Sequence, residues 1–143
     1  MQSCQIDFQC QYQAFHQVPG NVHDPEVINK VDWICDTQKL KSHIEQQKSE
    51  IVFYCGASSH TEKMIPLFDA LILLTAKESV IRQRLSTRTS NDFGKAKEIQ
   101  DMVVEWQEGY EKMGKKYGAI VVDTNNELER VAAEVIEKIS KHS

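Results

Sequence analysis

The chain has 143 residues, of which 41% are apolar and 27% are charged, and this is enough sequence for one folded domain with a buried core. Its net charge of -4 argues against nonspecific binding to nucleic acid, which depends on an excess of Lys and Arg. The sequence contains no signal-peptide pattern, and no apolar run approaches the roughly 18 residues that cross a membrane. These features predict a cytoplasmic protein that binds neither nucleic acid nor a membrane.

The first 23 residues differ in composition from the rest. Gln occupies six of them, and the segment 6–12 alternates apolar and polar residues, which is compatible with a half-buried strand. The turn signal Pro19-Gly20-Asn21 follows. We therefore predict an atypical Gln-rich segment over residues 1–23 and an α/β domain over residues 24–143.

Apolar runs alternate with helical patterns along the predicted domain. Asp24-Pro25 indicates a helix start with Asp24 as N-cap, and the helical pattern continues to about Lys48. The following predicted elements are a buried strand over 51–55, a helix from Thr61 to about Leu67, a strand over 70–74, a helix from Lys77 to about Arg88, a helix from about Ala96 to Lys116, a strand over 119–123, and a last helix capped by Asn125 or Asn126. This alternation predicts βαβ units, and hence a three-layer α/β fold around a mostly parallel sheet.

The four cysteines, at positions 4, 10, 35 and 55, form no Cys-x-x-Cys pair and show no zinc spacing with the histidines. No metal site is predicted from them, and reduced thiols fit a cytoplasmic protein. Cys55 ends an apolar run, so we predict that it is a buried small hydrophobic residue.

Positive charge is concentrated in the segment 77–97. Its basic residues are Lys77, Arg82, Arg84, Arg88, Lys95 and Lys97, against the acidic residues Glu78 and Asp92. A local basic patch on an acidic protein favours a small anionic ligand over a polyanion, and a solvated helix face is the alternative. Arg84 and Arg88 are four residues apart and share a helix face, from which planar, permanently charged guanidinium groups can hold phosphate oxygens.

The run Arg84-Leu85-Ser86-Thr87-Arg88, followed by Asn91-Asp92-Phe93-Gly94-Lys95 and flanked by apolar runs, resembles the C-terminal half of a P-loop kinase of the adenylate- or shikimate-kinase type. The resemblance covers roughly Ile51 to Ile139. It implies a P-loop NTPase-like fold and a phosphotransferase that uses ATP and Mg²⁺. The acceptor would be a nucleoside, a nucleotide or another small hydroxyl substrate.

The resemblance also implies roles for individual residues on the nucleotide side. Arg84 and Arg88 match the arginine pair at the base of the lid, which contacts the donor nucleotide and neutralises charge on the transferred phosphoryl group. Arg82 and Lys95 would add contacts to the donor phosphates, and Asp123 would border the base. The lid itself would span about 86–96, with Gly94 supplying hinge freedom.

Each of these roles has an ordinary structural alternative. For the arginines it is a surface helix with Arg–Glu pairing. For the lid it is a helix-to-helix connection with a Gly turn, and for Asp123 it is a turn or cap residue.

On the acceptor side, the turn Gly56-Ala57-Ser58-Ser59 follows the predicted strand 51–55, and the resemblance implies that Gly56 and Ser58 line the acceptor pocket. Asp36, four residues after Asp32 on the predicted helix, is a candidate to accept a proton from a substrate hydroxyl. The alternatives are a solvated face for the two carboxylates and an N-cap role for Ser58 or Ser59. No acidic residue lies between Ile51 and Thr61, which departs from the family pattern for magnesium.

The chain lacks the family's phosphate-binding motif Gly-x-x-x-x-Gly-Lys-Ser/Thr. In the family this motif follows a central strand between those matching 51–55 and 70–74. We expect the gap to be filled by segment 6–12, by direct pairing of the two strands, or by another chain. Two hypotheses follow: an ATP-dependent phosphotransferase, or a truncated or non-catalytic remnant of one that does not turn over ATP.

Overall fold

The computed structural model describes residues 24–28, 34–49, 51–56, 58–90 and 92–142. These residues divide into two compact units. The first unit takes its described residues from 34–68, and the second takes them from 24–28 and 69–142. The alternating segment 6–12 and Asp32 lie outside the described residues, so their predicted roles stay predictions.

In the first unit, the main helix is α2, Thr37–Gln46. It begins where the Asp36 side chain accepts hydrogen bonds from the backbone N–H groups of Gln38 and Lys39, both at 3.0 Å. Such a cap satisfies donors that no helical carbonyl can reach, and it stabilises a helix by about 1 kcal/mol. Leu40, only 1% exposed, places the buried face of α2 in the core of this unit.

The predicted helix from Pro25 to about Lys48 is therefore wrong as a single element. The first helix, α1, is Pro25–Ile28, with the Asp24 side chain accepting from the N–H of Glu26 as predicted. Residues 34–36 are not helical, and α2 begins only after them. Asp36 caps a helix instead of lying within one.

The rest of the first unit is a turn followed by α3, Thr61–Met64, and a 3₁₀ turn, Ile65–Leu67. The predicted helix over 61–67 is confirmed, although it tightens where Pro66 enters the last turn. Met64 is buried, as expected.

The predicted buried strand over 51–55 is wrong. These residues form neither strand nor helix, and Ile51 and Phe53 are 55% and 40% exposed. A strand needs a neighbour to take its backbone N–H and C=O groups, and within the described residues none pairs with this run. Cys55 is accordingly an exposed free thiol, not the buried residue predicted. Among the described strands, Ile72–Thr75 pairs with Ile120–Asp123, so the expected pairing of the runs 51–55 and 70–74 is not found there.

The second unit contains the remaining elements. They are α1, then β1 (Ile72–Thr75), α4 (Glu78–Thr87), α5 (Lys97–Lys116), β2 (Ile120–Asp123) and α6 (Leu128–His142). The four elements from β1 to β2 and the last helix confirm the predicted order, with boundaries shifted by one or two residues. Described residues thus form an α/β arrangement of six α-helices and a two-stranded sheet, without the larger sheet expected of the three-layer fold.

Strands β1 and β2 are parallel, which confirms the prediction for 70–74 and 119–123. Ile72 lies opposite Ile120, and Thr75 opposite Asp123. The ladder extends past the strand ends, because the Thr124 N–H donates to the Thr75 carbonyl at 2.7 Å. The helices α4 and α5 form the crossover that a parallel pair requires.

Helices α5 and α6 pack on this sheet and close the core of the second unit. A Cβ at Gly114 of α5 would lie 2.9 Å from Leu73 Cδ2, so the helix backbone approaches β1 closely at this position. On the other strand, Val122 is fully buried, and Val131 of α6 is 8% exposed. Ile28 of α1, Leu85 of α4 and Ile99 of α5 complete the buried apolar set of this unit.

Candidate anion-binding site

The carboxyl ends of β1 and β2 meet at one edge of the sheet, because the strands are parallel. Open α/β sheets bind their ligands at this edge. Here it is formed by the turn from Thr75 into α4 and by the loop 124–127 after β2. Of the predicted nucleotide-side groups, Arg84 and Asp123 lie at this edge, and the side-chain contacts of all five show which are available to a ligand.

Asn125 holds the two loops together. Its side-chain Oδ1 accepts a hydrogen bond from the Lys77 backbone N–H at 2.9 Å, at the start of α4. Its own N–H and side-chain amide donate to Asp123 Oδ1, which fixes the turn. The predicted N-cap role of Asn125 for the last helix is therefore wrong: its acceptor oxygen serves α4 instead. Asp123, predicted to border the base, has a turn role in this structure.

Arg84 lies at the same edge and reaches the loop after β2. Its Nη1 donates to Thr124 Oγ1 at 3.1 Å, and its Nη2 donates to the Thr124 carbonyl. The Thr124 hydroxyl in turn donates to the Thr75 carbonyl at 2.9 Å. Arg84 thus links α4 to both strand ends, and its guanidinium keeps donors that these two bonds do not use.

Arg82 points to a different partner set, between α4 and α5. Its guanidinium pairs with Glu78 at 2.8 Å and with Asp101 at 2.7 Å, and Lys97 also contacts Asp101 at 3.0 Å. Hydrogen bonds from Lys97 and Arg82 lower the pKa of the Asp101 carboxyl, and those to Glu78 and Asp101 raise the pKa of Arg82. The alternative of Arg–Glu pairing on a helix surface describes Arg82 well.

Arg88 is the C-cap residue of α4 and is half-buried. Within the described part of the chain, no hydrogen bond or ion pair occupies its guanidinium. The Lys77 ammonium likewise has no ion partner among these residues. Arg84 lies within α4, and Lys77 and Arg88 are the N-cap and C-cap residues at its two ends. Helical spacings of seven and four residues put these three positions on one side of α4, with Arg82 on another.

The predicted lid loop is closely tied to the helices on either side. Gly94 is buried at φ 86°, and a Cβ there would lie 2.6 Å from Leu85 Cδ2. The positive φ and the close contact with Leu85 each explain why residue 94 is a glycine. Neither explanation needs the loop to act as a hinge. Lys95 pairs with Asp92 at 2.6 Å inside the loop.

Gln100, which the sequence analysis did not single out, anchors this loop from α5. Its side-chain amide is buried and donates to the carbonyls of Gly94 at 2.9 Å and Lys95 at 3.4 Å, and to Ser86 Oγ at 3.1 Å. Gln107 acts similarly two turns further along the same face of α5, donating to the Ala76 carbonyl at 2.7 Å. The sequence signal that could have identified these two residues is a polar side chain beside the apolar stripe of α5.

The acceptor-side candidates belong to the first unit. Ser58 is buried, its Oγ accepts from the His60 N–H at 3.3 Å, and its backbone groups bond Thr61. Gly56 is exposed, and Asp36 is occupied by its capping bonds. The alternative of an N-cap at Ser58 or Ser59 is wrong, because the N-cap of α3 is His60 and Ser58 lies in the turn before it. Asp36 caps α2 and does not belong to the solvated helix face offered as its alternative.

No group of three or more His, Cys, Asp or Glu side chains that would hold a metal ion occurs among the described residues. None of the described helices combines the length and apolar character needed to cross a membrane. No protein-family model, curated protein or solved structure matches this chain.

Proposed function

We propose that this protein binds a nucleotide or a similar small anion at the carboxyl edge of the β1–β2 sheet, and that it descends from ATP-dependent small-molecule kinases. The observation that carries the proposal is the row of cations along one face of α4. Lys77 begins the row at the sheet edge, Arg84 follows beside Thr124, and Arg88 ends it with no partner among the described residues. The resemblance of the segment 84–95 to the kinases supports the same ligand.

In this proposal Arg88 makes the main phosphate contact. Its charge is not neutralised within the described residues, and a guanidinium fork binds phosphate oxygens in a bidentate manner. Arg84 places a second guanidinium beside it, while its bonds to Thr124 hold the loop that would border the base. Arg82 and Lys95 contribute less, because Glu78, Asp101 and Asp92 already neutralise them.

A second candidate is nucleotide binding without turnover. The sequence lacks Gly-x-x-x-x-Gly-Lys-Ser/Thr, and charge-assisted bonds to phosphate contribute about 1.5–3 kcal/mol each. Losing two or three of them weakens ATP binding by about a thousandfold or more. The carboxylate at the sheet edge, Asp123, also fits Mg²⁺ poorly, because it already accepts a hydrogen bond from the Asn125 N–H. We therefore assign no step to the metal.

Titration of the full chain with ATP, followed by calorimetry and by NMR shifts, tests both parts. We expect weak binding, in the millimolar to submillimolar range, that Arg88→Ala weakens by at least about tenfold. Arg130→Ala, which removes an exposed arginine from α6, is the matched control and should leave the affinity unchanged. Shifts that are absent at millimolar ATP would refute the binding proposal. Low-micromolar affinity for MgATP would refute the expected weak binding, and an unchanged affinity in Arg88→Ala would remove Arg88 from the site. ADP formation by the full chain that Arg88→Ala abolishes would refute the candidate without turnover.

A further inference from the structure

Helix α5 carries a glycine that no contact within the described chain explains. Gly109 lies near the middle of the 20-residue helix, is exposed, and has no atom within 4 Å of where a Cβ would be. A glycine in a helix interior costs about 1 kcal/mol relative to alanine. Gly114 of the same helix, by contrast, has a clear reason, because β1 approaches it closely.

Gly109 lies in an apolar row at the edge of the buried face. The row consists of Met102, Trp106, Gly109 and Met113, which follow one another at spacings of four, three and four residues. This is the spacing of a helix-pairing seam. Trp106 is 39% exposed, and the flank of α5 that contacts α4 through Gln100 is a different one. We call this row the α5 seam.

Charge is distributed antisymmetrically about Gly109. The half of α5 before it carries Glu98, Asp101, Glu105 and Glu108 against Lys97, and the half after it carries Lys112, Lys115 and Lys116 against Glu111. Two such helices crossing antiparallel at Gly109 place each acidic half against a basic half. Glu105 and Lys112, on either side of Gly109, have no ion pair among the described residues and would meet across the crossing.

We propose that the α5 seam docks on the α5 seam of a second copy of this chain, antiparallel and crossing at Gly109. A twofold arrangement uses the same surface on both subunits, so each Glu105–Lys112 contact occurs twice. The missing side chain at Gly109 lets the two backbones approach, which brings Trp106 against the partner subunit's Met113. One helix pair buries less than the roughly 1,200 Å² of a standard interface, so the dimer has a micromolar or weaker dissociation constant.

Sedimentation equilibrium of the full chain, from low-micromolar to near-millimolar concentration, is the test. We expect a monomer–dimer equilibrium that Glu105→Lys and Lys112→Glu each weaken by about tenfold, and that the double charge exchange restores. Glu129→Lys makes the same charge change at an exposed position of α6 and is the matched control. In a Trp33→Phe background, emission from Trp106 should shift to the blue as the dimer forms.

Three results would overturn the proposal. The first is a monomer at every concentration. The second is a dimer that Glu129→Lys weakens as much as Glu105→Lys does, because the charge effect would then not be specific to α5. The third is a double exchange that fails to restore association although each variant remains folded by circular dichroism.

Discussion

Among the described glycines, Gly94 is the one whose replacement by alanine should destabilise the second unit most. Two separate causes act at this position. The backbone has φ 86°, where an L side chain is strained, and the added Cβ would lie 2.6 Å from Leu85 Cδ2 and 3.1 Å from Leu85 Cβ. Leu85 is only 4% exposed, so it has little room to move away.

The magnitude follows from adding the two terms. A non-glycine residue at positive φ costs about 1–2 kcal/mol. Forcing an extra carbon into a packed core costs about 1–3 kcal/mol. We therefore expect Gly94→Ala to lower the free energy of unfolding by about 2–5 kcal/mol.

Two other glycines of the same unit serve as controls. Gly118 has φ 68° and nothing within 4 Å of its Cβ position, so Gly118→Ala should cost only the backbone term, about 1–2 kcal/mol. Gly109 lies within a helix with the same open space, so Gly109→Ala should stabilise by about 0.5–1 kcal/mol. Urea unfolding in a Trp33→Phe background, monitored by Trp106 at low protein concentration, compares all three.

A double-mutant cycle separates the two terms at Gly94 itself. Leu85→Ala removes Cδ2 and Cγ, which would lie 2.6 and 3.1 Å from the added carbon, and leaves only Cβ at 3.1 Å. Gly94→Ala in that background should therefore cost little more than the backbone term of about 1–2 kcal/mol. The reasoning is refuted if Gly94→Ala costs no more than Gly118→Ala, or if its cost is the same with and without the Leu85 side chain.

Three further predictions concern contacts of the same unit. Gln100→Met should leave the carbonyls of Gly94 and Lys95 without their buried donor and lower the free energy of unfolding by about 1–3 kcal/mol. Amide hydrogen exchange should become faster over 92–96, whereas Gln107→Met should speed exchange near Ala76 instead. The pKa of Asp101 is lower in the folded chain than its ordinary value of 3.8, so its contribution to stability is present above pH 3.8 and is lost as the pH falls through the lower folded value. In an acid titration followed by Trp106 emission, Asp101→Asn should abolish the loss of stability over this pH range. Glu108→Gln should leave that loss unchanged. Asn125→Ala should expose the Lys77 amide to faster exchange and cost about 1 kcal/mol, with Asn126→Ala within about 0.5 kcal/mol of the original chain.

The elements of the second unit were predictable because their signals are local. The apolar stripe of α5 repeats every three or four residues over 20 positions, and the two strands are short apolar runs between such helices. Helical sequence between two strands requires a crossover, and this makes the strands parallel. The parallel direction of β1 and β2 follows from these facts, whereas their register, with Ile72 opposite Ile120, was not predicted.

The run 51–55 shows where this reasoning fails. Its five residues are as apolar as those of β1, yet they form no strand. Strand formation depends on a partner that takes the backbone hydrogen bonds, and a single sequence does not reveal which runs find one. Cys55 was assigned to the core on the same argument and is exposed for the same reason.

The candidate site was predictable in its position but not in its contacts. Helical spacing places Arg84 and Arg88 on one face and Arg82 on another. The partners that occupy Arg84 and Arg82 come from Thr124 and Asp101, which are 40 and 19 residues away in sequence. Long-range contacts of this kind decide which charges remain for a ligand, and no local pattern reports them.

The spacing of the remaining cations bears on the size of the proposed ligand. Lys77 and Arg88 are eleven positions apart, which along a helix is about 16 Å. A single phosphate ion can meet only one of these two side chains, whereas an extended anion such as a nucleoside triphosphate can contact Arg88 and Arg84 and approach Lys77. If the proposed function is correct, tripolyphosphate should bind more tightly than inorganic phosphate, and Lys77→Ala should weaken tripolyphosphate binding while leaving phosphate binding unchanged. Equal affinities for the two anions would mean that the cations act singly, and the row along α4 would then carry no preference for a nucleotide.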